Sequence, residues 1–152
     1  MLAAVILAGG LHAITRHAGA SATSCSASIA RPLVFEYDSL SGLGTFSTGI
    51  VTLSCKAPEF LGSVTVTSQH DRDGRHELWR DGSSAEGALP YLLSARGAQD
   101  ASSGEFDAGA SSLTIGRSVM RYSVVLSARL LPEAEPPEAG TYLDSVTVTF
   151  NL

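Results

Sequence analysis

Apolar and polar residues alternate with a period of two along most of the chain after residue 25. The longest example is "VMRYSVVLSARLL", in which polar residues such as Arg121 and Arg129 share one parity. The other parity is apolar and consists of Met120, Tyr122, Val124, Leu126, Ala128 and Leu130. A period of two is the side-chain period of a β-strand, so this segment predicts a long central strand with one buried face.

Shorter segments repeat the same alternation. They are "RPLVFEYDSL" (31–40), "TGIVTLSC" (48–55), "GSVTVTS" (62–68) and the stretches 77–80, 90–95 and 112–116. Clusters rich in Gly, Pro, Asp and Ser separate them, and no helical period persists after the N-terminal region. The pattern therefore predicts an all-β fold, an antiparallel immunoglobulin-like β-sandwich.

The last alternating segment is "SVTVTFNL". Val146, Val148 and Phe150 share one parity, while Thr147 and Thr149 share the other. This pattern predicts a final strand that is buried on one face. The open edge of such a strand must be covered by another segment or by another molecule, because an uncovered edge invites unwanted pairing.

Length and composition narrow the class of protein. The chain has 152 residues, of which 44% are hydrophobic and 16% are charged, as expected for one globular domain. Its net charge is −5, and Lys56 is its single lysine. Because no block of basic residues occurs, the sequence argues against nucleic acid and against an anionic membrane surface as partners.

The first 22 residues differ from the rest. The apolar run "MLAAVILAGG" is followed by a mixed tail and by "ASA" at 20–22, which is the small-x-small pattern of a signal-peptidase site. We therefore predict a signal peptide over 1–22 and a single domain over 23–152, which makes the protein an exported one. The alternative is that this segment is a short buried helix or strand of the domain. The run is far shorter than the roughly 20 residues that span a bilayer.

Two cysteines, Cys25 and Cys55, remain in the predicted mature chain. An even number of cysteines in an exported protein favours one disulfide. A zinc site is a poor rival, because it needs about four ligands and the chain has neither a CxxC nor an HxxxH spacing.

One polar segment partly matches a metal-binding motif. In "HDRDGRHE", Asp71 and Asp73 resemble the start of a calcium loop, but Gly74 comes too early and Arg75 stands at a ligand position. This segment is therefore interpreted as a polar hairpin turn. No G-x-S-x-G elbow or phosphate-binding loop occurs, so we expect no enzyme activity and no cofactor. Trp79 is interpreted as a core or rim aromatic, with sugar stacking as the alternative.

Four segments in order resemble a known family. They are "SCSASIARPLVFEYDSL", "TGIVTLSC", "ALPYLLSARG" and "EAGTYLDSVTVTF". The sequence is similar to the spore coat protein U domain, the domain of archaic chaperone-usher pilus subunits of bacteria. The chain departs from the family at Glu36, where a glycine is usual.

This resemblance implies an incomplete sandwich that lacks one strand and is completed by donor-strand complementation. A hydrophobic groove would then run beside the last strand, with Val146, Val148 and Phe150 paired to a chaperone strand or a donor strand. Four residues of the long strand would line the groove or the core: Met120, Tyr122, Val124 and Leu126. The partners implied are a periplasmic chaperone, an outer-membrane usher and neighbouring subunits.

The resulting functional hypothesis is a structural subunit of a surface fibre or coat, located in the periplasm during assembly and at the cell surface afterwards. Cleavage after Ala22 would leave two residues before Cys25, which is too short for a donor strand. We therefore expect a subunit at the end of a fibre. The alternative is a self-contained extracellular β-sandwich that binds carbohydrate or protein.

Overall fold

The computed structural model describes residues 2–7, 16–17, 24–35, 46–72, 75–80, 88–97, 106–107, 112–131 and 142–152. All regular structure in these ranges is β-strand, and every pairing is antiparallel. The strands are β1 (Leu2–Leu7), β2 (Arg16–His17), β3 (Cys25–Arg31), β4 (Phe46–Ser68), β5 (Asp71–Arg72), β6 (Arg75–Arg80), β7 (Leu89–Gly97), β8 (Phe106–Asp107), β9 (Ser112–Leu130), β10 (Tyr142–Leu143) and β11 (Ser145–Asn151). The predicted all-β, antiparallel class is thereby confirmed.

The two longest strands, β4 and β9, form the centre of the sheet. The order of strands across it is β10-β6-β7-β9-β4-β11-β1-β2, and β3, β5 and β8 pair with β4, β6 and β7 respectively. Two strands border the edge of β4 that lies opposite β9. β3 pairs with residues 50–55 of β4, and β11 pairs with residues 63–68. β9 is bordered by β7 along residues 124–130.

The central ladder bends in the middle. Its register shifts between Ser54 and Glu59 and again between Leu61 and Ser63 of β4. Such irregularities increase the local twist of a strand pair, and a long sheet that twists in this way curls around its own apolar face. The result is a curled sheet whose two halves enclose one core, consistent with a sandwich-like, incomplete fold.

The core is built from the inward-facing side chains of five strands, β4, β6, β7, β9 and β11. In β9, Tyr122, Val124 and Leu126 are fully buried. They join one hydrophobic cluster with Val51, Leu53, Leu61, Val64 and Val66 of β4, Leu78 of β6, Tyr91, Leu93 and Ala95 of β7, and Val146, Val148 and Phe150 of β11. Alternation along each strand thus becomes a shared apolar interior, which is the dominant favourable contribution to folding.

The predicted alternation of buried and exposed side chains is wrong at Met120 of β9. Met120 was predicted to line the groove or the core, but its side chain is 53% exposed, and Val119 is buried instead. The cause is the irregularity in the β4–β9 ladder, where Val119 pairs with Glu59 and Arg121 pairs with Ser54. Four residues of β4 lie between these pairs opposite one residue of β9, so the alternation of β9 changes phase there.

The segment 31–40 was predicted to be a strand, but residues 32–35 are not one. Pro32 has no N–H to donate to a ladder, and the backbone N–H of Val34 donates to the side-chain oxygen of Ser47. Leu33 is buried over Gly49, where a Cβ atom would lie 2.9 Å from Leu33 Cγ. The segment is therefore irregular chain, in which Leu33 is buried in the core while Val34 is exposed. Residues 36–40 of the predicted strand lie outside the described residues.

Two pairs of predicted strands are single strands in the structure. Segments 48–55 and 62–68 both belong to β4, and segment 112–116 continues into the long central strand as β9. The predicted polar hairpin is confirmed, because Asp71 pairs with His76 and Arg72 pairs with Arg75.

The predicted disulfide is confirmed. Cys25 of β3 and Cys55 of β4 are direct partners in the ladder, and their sulfur atoms are bonded. The bond fixes β3 to the central ladder on the edge that β11 also uses. Within the described ranges no helix is long or apolar enough to span a bilayer. The predicted cleavage site at 20–22 lies outside them.

Candidate strand-acceptor edge

β11 lies between two antiparallel neighbours. On one side Val146, Val148 and Phe150 pair with Ser68, Val66 and Val64 of β4. On the other side the same three residues pair with Ile6, Ala4 and Leu2 of β1. The edge of β11 is therefore covered from Ser145 to Phe150 by six residues from the N-terminal segment.

The backbone of β11 divides its hydrogen-bonding groups between these neighbours. The N–H of Gln69, just after β4, donates to the carbonyl oxygen of Ser145 at 2.9 Å, so Ser145 directs its backbone groups toward the β4 side. In an antiparallel strand, the N–H and C=O of one residue point to the same neighbour, and the direction alternates. The groups of Val146, Val148 and Phe150 consequently point toward β1. We call these three residues the acceptor edge.

The side chains of the acceptor edge face the core. Val146 is 2% exposed, and Val148 and Phe150 are completely buried. They belong to the same apolar cluster as Tyr122, Val124 and Leu126, which the sequence predicted to form the neighbouring wall. The same residues thus anchor β11 through their side chains and direct their backbone groups toward β1.

Sequence reasoning missed the polar cluster at the start of β11. Asp144 is an acidic residue, yet its side chain is only 1% exposed and lies between β10, which pairs with β6, and β11, which pairs with β4. Its carboxylate accepts hydrogen bonds from the hydroxyls of Tyr91 at 2.5 Å and Ser68 at 2.6 Å. It also accepts from the backbone N–H groups of His70 at 3.2 Å and Ser145 at 2.7 Å.

These contacts make Asp144 the residue that fixes where β11 begins. A buried carboxylate is costly unless hydrogen bonds satisfy it, and four donors from four parts of the chain do so here. Burial, and then the negative charge of Asp144, raise the pKa of the Tyr91 hydroxyl far above its ordinary value. Tyr91 therefore stays protonated as a hydrogen-bond donor.

Aromatic rings surround this cluster. The His70 ring stacks on Trp79 with centroids 4.1 Å apart, and His70 Nδ1 lies 3.1 Å from a carboxylate oxygen of Asp144. The Trp79 indole N–H donates to Glu77 at 3.2 Å. Trp79 is thus half-buried and stacked on a side chain of the protein. The described residues contain no group of three His, Cys, Asp or Glu side chains arranged to hold a metal ion.

The chain has a match among solved structures but none among family models or curated proteins. Among solved structures, the chain is similar to part of a chaperone–tip adhesin complex described as vital for synergistic activation of CFA/I fimbriae biogenesis. The identity is 16% and the TM-score 0.43, with 84% of this chain covered. The match spans 41% of the length of that chain.

Proposed function

We propose that this protein is a structural subunit of a bacterial surface fibre or coat that assembles by strand complementation. The observation that carries the proposal is the acceptor edge: Val146, Val148 and Phe150 take up a separate, six-residue antiparallel strand while their side chains complete the core. Pairing of an extended segment along a sheet edge gives main-chain hydrogen bonds, and burial of alternate side chains gives specificity. The proposed role requires no catalysis and no cofactor.

Two features of the sequence support this role. Four ordered segments resemble the spore coat protein U domain, and the disulfide between Cys25 and Cys55 is typical of a protein that folds outside the cytoplasm. The proposed partners are therefore a periplasmic chaperone, an outer-membrane usher and neighbouring subunits.

Removal of residues 1–22 as a signal peptide would change the edge directly. β1 and β2 both lie within these residues, so cleavage would leave the N–H and C=O groups of the acceptor edge without strand partners. Unpaired backbone groups beside apolar side chains are costly, and an open edge recruits another strand. A strand from a chaperone or a neighbouring subunit would then occupy the place of β1.

The test compares the chain 23–152 with the same chain plus a synthetic peptide of residues 1–8. We expect the truncated chain alone to aggregate or polymerise and the peptide to yield a soluble 1:1 complex, measured by size-exclusion chromatography and circular dichroism. A peptide with Ala4→Asp, at the position paired with buried Val148, is expected to fail. Its control is Val5→Asp, at the position paired with half-buried Thr147.

A truncated chain that is a stable monomer without any peptide would contradict the proposal. So would equal rescue by both substituted peptides, since that outcome would show that the register with β11 does not matter.

One observation favours a second candidate. Because β1 pairs with β11 of the same chain, the protein can also be a self-contained extracellular binding module whose N-terminal strand is retained. Mass spectrometry of the secreted protein separates the two candidates. A mature chain that begins at residue 23 supports complementation, and one that keeps residues 2–7 supports the module.

A further inference from the structure

One surface of the sheet concentrates positive charge. Four of the nine arginines lie exposed on the outward side of β3, β7 and β9. No aspartate or glutamate occurs in these three strands or in residues 46–54 of β4, and the acidic position closest in register is Asp107 of β8, which pairs with Ser94 of β7. These arginines are Arg31, Arg96, Arg121 and Arg129. We call this surface the basic face. It contrasts with the net charge of −5 of the whole chain.

The basic face contains a hollow of about 610 Å³. Arg129 is in register with Phe46 on one side and with Leu92 on the other, so the three residues form a row across β4, β9 and β7. The Phe46 ring is 61% exposed and Leu92 is 45% exposed. The lining includes Phe46, Leu92, Ser94, Arg96, Ser127 and Arg129.

The two arginines of the hollow are available for an anion. Neither Arg96 nor Arg129 forms an ion pair with a described carboxylate. A guanidinium offers a planar fork of donors that fits a carboxylate in a bidentate manner. Arg96 is in register with Val125, four residues from Arg129 along β9, so the two positions are about 14 Å apart along the strands.

We propose that the basic face binds an acidic polysaccharide whose carboxylated sugars alternate with neutral ones. The widely spaced arginines would pair with uronate groups, the hydroxyls of Ser94 and Ser127 would contact sugar hydroxyls, and Phe46 would pack against the apolar face of a sugar ring. This inference does not depend on strand complementation, because β1 and β11 are not part of the basic face.

The position of the hollow favours a sugar polymer over other anions. It lies on the face of the sheet around β9, whose backbone groups are already used in ladders with β4 on one side and β7 on the other. An extended acidic peptide would find no main-chain partner there. Nucleic acid carries about one charge per 1.7 Å of duplex, which is a far denser row of charge than these arginines can match.

The experiment measures binding of the full chain to a hyaluronan decasaccharide by isothermal titration calorimetry at low ionic strength. The matched ligand is the same decasaccharide with its carboxylates reduced to alcohols, and a 20-nucleotide single-stranded DNA serves as a dense polyanion. We expect binding to the decasaccharide and at least about tenfold weaker binding to the reduced form, as for the loss of a charge-assisted hydrogen bond.

Variants locate the site. Arg96→Gln and Arg129→Gln are each expected to weaken binding roughly tenfold, and Phe46→Ala severalfold. Their controls are Arg75→Gln and Phe60→Ala, which alter an exposed arginine and a 58% exposed phenylalanine away from the hollow and should change binding by less than about twofold. Unchanged melting temperatures show that the exposed substitutions leave the fold intact.

Several results would overturn the inference. They are the absence of binding, equal binding of the reduced decasaccharide, tighter binding of DNA, or binding unaffected by Arg96→Gln, Arg129→Gln and Phe46→Ala. Self-association that is lost in Arg129→Gln, without sugar binding, would show that the basic face pairs with a second copy of the chain instead.

Discussion

At the scale of single residues, Asp144 joins several strands through one buried side chain. It lies between two short strands that pair with different parts of the sheet, and its carboxylate joins the end of β4, the following turn, β7 and the first residue of β11. No local pattern marks it, because its parity matches that of the apolar residues that follow. Only its partners show why an acidic residue is buried there.

The pairing of Tyr91 with Asp144 predicts how stability depends on pH. The pKa of Tyr91 is higher in the folded protein than in the unfolded chain. Above about pH 10 the unfolded chain therefore loses this proton, whereas the folded protein keeps it. The stabilising contribution of Tyr91 is thus complete below pH 10. As the pH rises further, the free energy of unfolding decreases by up to about 1.4 kcal/mol per pH unit. Tyr91→Phe should remove this decline and cost about 1–3 kcal/mol at pH 7.

Urea unfolding of both proteins between pH 7 and pH 12 measures these effects. Tyr142→Phe, at a half-buried tyrosine of β10, is the control and is expected to retain the alkaline decline. An identical decline in Tyr91→Phe would show that another group causes it.

At the scale of elements, β11 lies between a long neighbour, β4, and a short one, β1. Its pairing with β4 is part of the central ladder, whereas β1 adds only six residues and is followed at the edge by the two-residue β2. Edge strands of this length open without unfolding of the core, because few contacts hold them.

This difference predicts alternating hydrogen exchange along β11 in the full chain. The amides of Val146, Val148 and Phe150 point toward β1 and should exchange faster than those of Thr147 and Thr149, which point toward β4. Residue-resolved NMR exchange measures this alternation. An excess of the residue 1–8 peptide should slow exchange at the first three amides only, and equal protection of all five would contradict a separable β1.

At the scale of the whole molecule, a single core occupies the inside of one curled sheet. The buried residues of β4, β6, β7, β9 and β11 form one cluster, and the disulfide lies at its margin between β3 and β4. The outward side carries a separate property, the basic face. Folding and the proposed sugar binding therefore depend on opposite faces of the same strands.

One core predicts one unfolding transition. With the disulfide intact, Trp79 fluorescence and far-UV circular dichroism should give coincident urea curves. Reduction, or the double substitution Cys25→Ala and Cys55→Ala, should lower the free energy of unfolding by roughly 3 kcal/mol for a sequence separation of 30 residues, while the transition stays single. Separate midpoints for the two probes would show that β3 and the Trp79 region unfold independently.

The sequence by itself determined the properties that depend on neighbouring residues. Alternation specifies which side of a strand is apolar, so it predicted the all-β class, the buried parity of Val146, Val148 and Phe150, and the buried residues Tyr122, Val124 and Leu126. Each of these follows from the period of two along an extended backbone. The disulfide was predicted separately, from the even number of cysteines in a chain expected to be exported.

Tertiary structure alone decided which remote segments meet. It exposed Met120 through a register shift against β4, placed β1 beside β11, surrounded Asp144 with donors from four parts of the chain, and gathered four arginines on one face. These outcomes depend on how strands far apart in sequence pair and on how the sheet closes over its core. A local alternation of residues contains no information about either, because every strand with the same parity offers the same edge.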